Sequence, residues 1–279
     1  MTQQDFIYAI FNQVGAISFP LRLDSSTSEL VVKWNALLAL ADIRNPVTES
    51  RRTVRPRNSE KELPSRIALR HRISDGPLLV IDEDDIDSVS LRLVGGEEEV
   101  IIDGGSFIAE GCYGRVYRFD LPNGPVAVKI QHLDLKAAYY PQSRELTLCE
   151  SLLEPVALCL IQNESPPDIQ EFFPQIYGSF VFRKDEELVS VIVEQFIDGQ
   201  TLARIQDEDQ LLVGWEKLDN ALANINQNTT FRVRDLDVAE SNVILTPSHD
   251  IVFVDHGYTT IKTSGDGWVN GQVQSVKLY

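Results

Sequence analysis

The sequence predicts an α+β fold: an antiparallel sheet carrying one main helix, followed by a smaller, mostly helical part. Three observations predict it. From Val100 onward, short apolar runs alternate with turn residues: Val100-Ile-Ile, Arg115-Val-Tyr-Arg-Phe119, the turn Asp120-Leu-Pro-Asn-Gly-Pro125, then Val126-Ala-Val-Lys-Ile130. That is the texture of a sheet built from hairpins. Residues 142 to 153 place Leu146, Cys149, Leu152 and Leu153 at helical intervals and stop at Pro155. Between Gly199 and Phe231 there is room for one short helix and a longer one, with Leu211, Leu212, Trp215, Leu218, Leu222 and Ile225 as its buried face.

The remaining elements follow in order. Residues 5 to 14 and 28 to 43 carry helix-like apolar spacing, so residues 1–95 read as a helical appendage with a basic linker. The linker is Arg51 to Arg72, with eight basic residues against Glu60 and Glu62, interrupted by Pro56 and Pro64. An acidic run around Val89, Leu91 and Leu93 alternates like an edge strand or a hairpin arm. Ile176 to Phe182 and Leu188 to Val193 read as two further strands, joined by the charged turn Arg183 to Glu187.

Composition excludes several function classes. The 279 residues are enough to bury a core without disulfides, and 43% hydrophobic with 24% charged residues is an ordinary globular balance. No stretch approaches the roughly 18 unbroken apolar residues of a membrane helix. The N-terminus lacks the basic start of a secretory signal, and Cys112, Cys149 and Cys159 lack metal-type spacing, so an intracellular protein, cytoplasmic or nuclear, is expected. A formal net charge of −17 repels polyanions, and the basic stretch has no aromatic residue to stack a base. No nucleic-acid partner is expected. The stretch reads as a solvated linker, with a targeting or docking segment as the alternative.

Two constellations carry chemistry. In the first, Ile108-Ala-Glu-Gly111-Cys-Tyr-Gly114-Arg-Val116 precedes Val126-Ala127-Val-Lys129. Glycines between paired strands let backbone fold over a phosphate chain, and a lysine on the next strand can neutralise it. A lysine so placed needs a carboxylate to hold it charged; Glu145 on the expected helix is the candidate, with Glu150 as an alternative. In the second, Asp237 and Asn242 are separated by four residues, and a short apolar hairpin returns the chain to Asp255. Asn242 and Asp255 offer the hard oxygen ligands that a phosphate-bound Mg²⁺ takes, and Asp237 could accept the proton of an attacking hydroxyl.

In this order and spacing, the stretch from Val100 to Gly257 resembles the eukaryotic-type protein kinase family. The resemblance implies a two-lobe fold: an antiparallel N-lobe over 96–194, a hinge at 195–199, and a shortened, mostly helical C-lobe over 200–279. It implies ATP and Mg²⁺ as cofactors. Gly111, Gly114, Val116 and Ala127 would cover the nucleotide, and Lys129, paired with Glu145, would hold the α- and β-phosphates. Glu194 and Phe196 would meet the adenine, with Val193 as gatekeeper; Asp237 would be the base, and Asn242 and Asp255 the metal ligands.

The chain also departs from the family pattern. Asp235-Leu236 stands where the family has His-Arg, Ala239 replaces a γ-phosphate lysine, Ala109 the first loop glycine and His256 the usual phenylalanine. Only 22 residues follow Gly257, so no peptide-binding floor is recognisable. The expected function is therefore an ATP-dependent phosphotransferase, most simply acting on protein serine or threonine. A nucleotide-binding pseudokinase and a small-molecule kinase are the alternatives.

Overall fold

The computed structural model describes residues 1–19, 77–85, 88–111, 114–132, 154–155, 157–163, 165–184, 187–227, 232–234, 236–256, 259–262 and 268–270. The chain opens with helix α1 (Gln3–Gln13), started by a reciprocal cap in which the Thr2 side chain accepts from Asp5 N and the Asp5 carboxylate accepts from Thr2 N. Strand β1 (Ile17–Phe19) follows. A meander then runs through β2 (Leu78–Asp85), β3 (Ser88–Gly95), β4 (Glu98–Glu110), β5 (Gly114–Leu121) and β6 (Gly124–His132). After the short helix α2 (Pro167–Gln170) come β7 (Ile176–Lys184) and β8 (Glu187–Gln195).

These strands do not form an open lobe. Their order is β1-β7-β2-β3-β4-β5-β6-β8, and β8 pairs back onto β7, so seven strands close on themselves with β1 attached outside the ring. The seam between β2 and β7 is the one parallel junction of this ring, carried by Leu78 opposite Arg183 and by Arg183 N donating to Pro77 O at 2.9 Å. The described chain is thus a closed, mixed seven-stranded β-barrel with few helices. This overturns the expected kinase-type two-lobe architecture with a helical second lobe. The physical reason lies in residues 78–95: their hairpin extends the β4–β6 meander until its far edge reaches β7. The strands on either side of residue 95 are therefore paired in one sheet.

Period-two alternation sorts the wall into two faces. Val126, Val128 and Ile130 of β6 and Val189, Val191 and Val193 of β8 join Leu91, Leu93, Phe119 and Phe180 in the barrel interior. Ala127, Lys129 and Gln131 point the other way. Helix α1 completes the interior core by inserting Ile7 and Phe11, with the Phe11 ring stacked on Phe180 at 4.1 Å and 9°.

A second core lies against the outer face of β7 and β8. It combines Ile176 and Ile192 from those strands with the helical residues 157–161, with α3 (Glu208–Gln227), and with the hairpin β11 (Val243–Leu245) and β12 (Ile251–Phe253). Short β9 (Gln200–Thr201) edges that hairpin, while β10 (Arg232–Arg234), β13 (Thr260–Lys262) and β14 (Trp268–Asn270) form a separate small sheet. Helix α3 occupies the expected place, but its buried stripe is Gly214, Leu218, Ala221 and Ile225. Leu212 and Trp215, expected inside, are 69% and 37% exposed. The glycine and alanine let the helix approach the core, which rotates the two larger side chains outward. The expected helices at 28–43 and 142–153 and the basic linker lie outside the described residues, as do Cys112 and Cys149. Cys159 is buried and free.

Because Phe11 joins the chain's first helix to the barrel interior, Phe11→Ala should destabilise the protein by about 3–5 kcal/mol. Urea unfolding followed by tryptophan fluorescence measures it; a loss under about 1 kcal/mol would show that α1 contributes little to the core.

Candidate functional site

The outward face of β6 carries the centre of the site. Lys129 is opposite Val116 of β5 and Ile192 of β8, and one register step away Ala127 lies between Arg118 and Glu194. Residues in these two rows share a face, so Val116, Ala127, Lys129 and Glu194 all look out of the barrel wall. Val193 does not. It pairs with Val128 and is buried in the barrel interior, because a single step along a strand exchanges faces, so the residue expected as gatekeeper does not share the face of Lys129.

Lys129 is the hub. Its Nζ donates to both oxygens of Glu154, at 2.7 and 2.9 Å, and to Asp255 Oδ1 at 3.3 Å. The lysine and glutamate side chains are only 15% and 2% exposed, whereas Asp255 is half exposed. Burial by itself would push the Lys129 ammonium toward deprotonation, but the carboxylates of Glu154 and Asp255 outweigh it and hold the pKa above the ordinary lysine value. Glu154 is fixed further by Gln131 Nε2 at 3.0 Å and by the backbone N–H of His256 at 3.1 Å. Four donor contacts thus converge on its two oxygens.

Glu154, not Glu145, is the lysine's partner among the described residues; Glu145 and Glu150 lie outside them. The sequence signal was misread at Pro155. Proline is read as a helix stop, but helical residues lie on both sides of it, at 154–155 and 157–163. Gln131 and the His256 amide were also missed. Gln131 follows Lys129 by two residues on the same strand, and that spacing is the signal that could have found it.

Asp255 and Asn242 meet at one end of the β11–β12 hairpin, where Val254 N donates to Asn242 O at 2.8 Å. Asp255 has φ of +71°, a left-handed backbone rarely adopted by residues with a side chain. Its neighbour His256 is buried: Nε2 lies 2.9 Å from Phe253 O, which can only accept, so Nε2 carries the proton. Burial lowers the His256 pKa and keeps the ring neutral; it packs beside Phe173, with ring centroids 5.4 Å apart. Asp237 is exposed on the loop before the turn Glu240–Asn242, and its Oδ1 accepts from Ala239 N at 3.2 Å.

The glycine hairpin is in place. Gly111 N donates to Gly114 O at 2.8 Å, and Arg115 meets Glu110 at 3.1 Å across the turn. Gly114 is required by the sheet itself, because a Cβ there would collide with the Ile130 carbonyl oxygen. Phe196 lies beyond the end of β8 with the Arg118 guanidinium 4.6 Å above its ring centroid, while that guanidinium also holds Asp120 at 2.8 and 3.0 Å. A separate groove of about 1090 Å³ lies along 195–198, α3 and the β11–β12 turn, away from Lys129.

Glu194 is 8% exposed, and burial, followed by the Glu154 and Asp255 charges, pushes its carboxyl up to about 8 against the pull of Lys129. It holds its proton at neutral pH. For a divalent cation the described residues offer two oxygen donors, Asn242 and Asp255. Among those residues no cluster of three or more His, Cys, Asp or Glu side chains is found, so such an ion would need further oxygens from a ligand. No protein-family model matches the chain, and no curated protein matches it. Among the described residues no helix is long and apolar enough to cross a membrane.

The Glu194 proton gives a measurable signature. Between about pH 4.5 and about pH 8 the unfolded chain loses this proton while the folded chain keeps it, so stability drains from the fold as pH rises through that window. Glu194→Gln removes the penalty. Its melting temperature should exceed the wild type's at pH 8, by about 2–4 °C per kcal/mol recovered, and converge with it near pH 4. Parallel melting curves at all pH values would contradict the assignment.

Proposed function

We propose that this protein is an ATP-dependent phosphotransferase that moves the γ-phosphoryl group to a hydroxyl, with protein serine or threonine as the acceptor. One observation carries the reading: the Lys129 ammonium, held charged by buried Glu154, lies in reach of Asp255 on the outward face of β6, next to strand β5 that Gly114 begins. A polyphosphate needs a fixed cation, oxygen ligands for its own metal, and a backbone turn to cover it; this reading gives those tasks to Lys129, to Asn242 with Asp255, and to the Gly111–Gly114 turn. The reading also rests on the chain order of the motifs shared with protein kinases, and it does not depend on a kinase-type fold.

Each residue then has a chemical task. Lys129 binds the phosphate chain, and Glu154, oriented by Gln131 and the His256 amide, keeps that ammonium aimed outward. Mg²⁺, with Asn242 and Asp255 as its protein ligands, would supply charge neutralisation at the phosphates. Asp237, exposed and bound among the described residues to Ala239 N, orients the acceptor hydroxyl and takes its proton.

One observation favours a second reading, a nucleotide-binding module without transfer. Ala239 leaves the loop beside Asp237 without a cation, which removes charge from the transferring group.

The test separates binding from transfer. Mg²⁺-ATP should raise the melting temperature, and Asp255→Asn and Glu154→Gln should cut that rise strongly; no shift with the wild-type chain would defeat the reading. Asp237→Asn should keep the shift while lowering phosphate transfer from γ-labelled ATP by about 10²-fold or more. A wild-type chain that binds Mg²⁺-ATP yet labels neither protein nor small-molecule acceptors is the non-catalytic module.

A further inference from the structure

The groove along 195–198, α3 and the β11–β12 turn has a volume of about 1090 Å³, at the upper end of the roughly 300–1,000 Å³ of small-molecule sites, and no task assigned to Lys129 uses it. Its lining is distinct in kind. Asn and Gln make up seven of the twenty residues along it, against 27 of 279 in the chain. Phe173, Ala221, Ile251 and Val252 lie buried at its floor, and every exposed residue of the lining except Pro167 is polar.

The amides are held in place by the fold. On α3, Asn220 and Asn224 are exposed and four residues apart, so they stand one above the other, and neither carboxamide is hydrogen-bonded among the described residues. At the ends of β7 and β8, Gln195 Oε1 accepts from Gln175 N at 3.2 Å, which fixes that side chain. Gln170 Nε2 donates to the main-chain oxygens of Gln162 and Ser165 at 2.9 and 2.8 Å. Gln162 Nε2 donates to Pro174 O at 2.8 Å, and this leaves its Oε1 as a buried acceptor with no partner. Such an acceptor calls for a donor.

A carboxamide carries an acceptor and a two-proton donor side by side on one plane. Neighbouring hydroxyl groups on a sugar ring, each a donor and an acceptor, match that pair in either direction and need no charge. Glu171, Asp198 and Asp250 against the single Lys217 ammonium turn anions away, while carboxylates accept strongly from hydroxyls. Phe172 and Phe196 are partly exposed and add ring surface for the C–H face of a sugar. A docked peptide takes most of its affinity from large anchors in dry pockets, and the buried floor leaves none open.

We propose that this groove binds a neutral carbohydrate, a short oligosaccharide whose hydroxyls pair with Asn220 and Asn224 of α3 and with Gln175 and Gln195 at the ends of β7 and β8. The site is separate from Lys129 and independent of the nucleotide-binding reading.

Isothermal titration of the full chain with maltotriose, cellotriose and triacetylchitotriose tests it, with trilysine as a cationic control. At least one of the sugars should bind with a Kd of about 1 mM or tighter. The double variant Asn220→Ala/Asn224→Ala should weaken that sugar about tenfold or more, with a melting temperature equal to or above the wild type's, since alanine is the better helix former at two exposed positions. No binding by any of the three sugars overturns the proposal, as does binding that the double variant leaves untouched. Trilysine held tighter than every sugar, and released by the same double variant, overturns it in favour of a cationic peptide.

Discussion

The ion pair between Lys129 and Glu154 is the constraint on which the rest of the site depends. An ammonium on a barrel wall, covered by a second core, cannot remain there without a compensating charge. Removing one partner of such a buried pair costs about 3–5 kcal/mol, because the other is left stranded. The carboxylate that answers it comes from the helical residues, and the backbone that fixes the carboxylate comes from the loop after β12. One side chain from the barrel therefore pins two separate segments of the second core at a defined distance from the sheet. The half-exposed Asp255 is added to this arrangement at 3.3 Å, at the edge where the lysine still reaches solvent.

The charges at this face are unequal. Glu154 and Asp255 together exceed Lys129 by one negative charge, and Glu194 avoids adding a second by retaining its proton. On the proposed reading, a bare polyphosphate meets a face with no net attraction for it, and the nucleotide gains by arriving with its own cation. The long-range field of a chain at −17 acts in the same direction. Selectivity for a metal-loaded ligand over a naked one then follows from charge balance as well as from ligand geometry.

Much of the wall was legible because alternation is a strong local signal. In Val126-Ala-Val-Lys-Ile-Gln131, every second residue is apolar and large, and the structure buries those inside and turns Lys129 and Gln131 out. The β11–β12 hairpin and the return to Asp255 were legible for the same reason. Closure of the barrel was not: the β2–β7 seam joins residues about a hundred positions apart through a single bridged pair, and no local pattern encodes it. Glu154 was hidden by the convention that proline ends helices. The inward face of Val193 was not legible because a strand's face depends on register, which apolar content alone does not determine where Val191, Ile192 and Val193 run consecutively. On α3 the large residues Leu212 and Trp215 attracted the assignment, while the small Gly214 and Ala221 do the packing.

Helix α1 precedes every strand of the barrel in the chain, but the surface that Phe11 stacks on belongs to Phe180 in β7. Some 170 residues must be synthesised before that ring exists to receive it. During translation the amphipathic helix waits with Ile7 and Phe11 uncovered, and completion of the hydrophobic interior belongs to the late stages of folding, after long-range loop closure has been achieved. The order of synthesis and the order of assembly run in opposite directions for this helix, so Ile7 and Phe11 depend on protection until β7 has emerged.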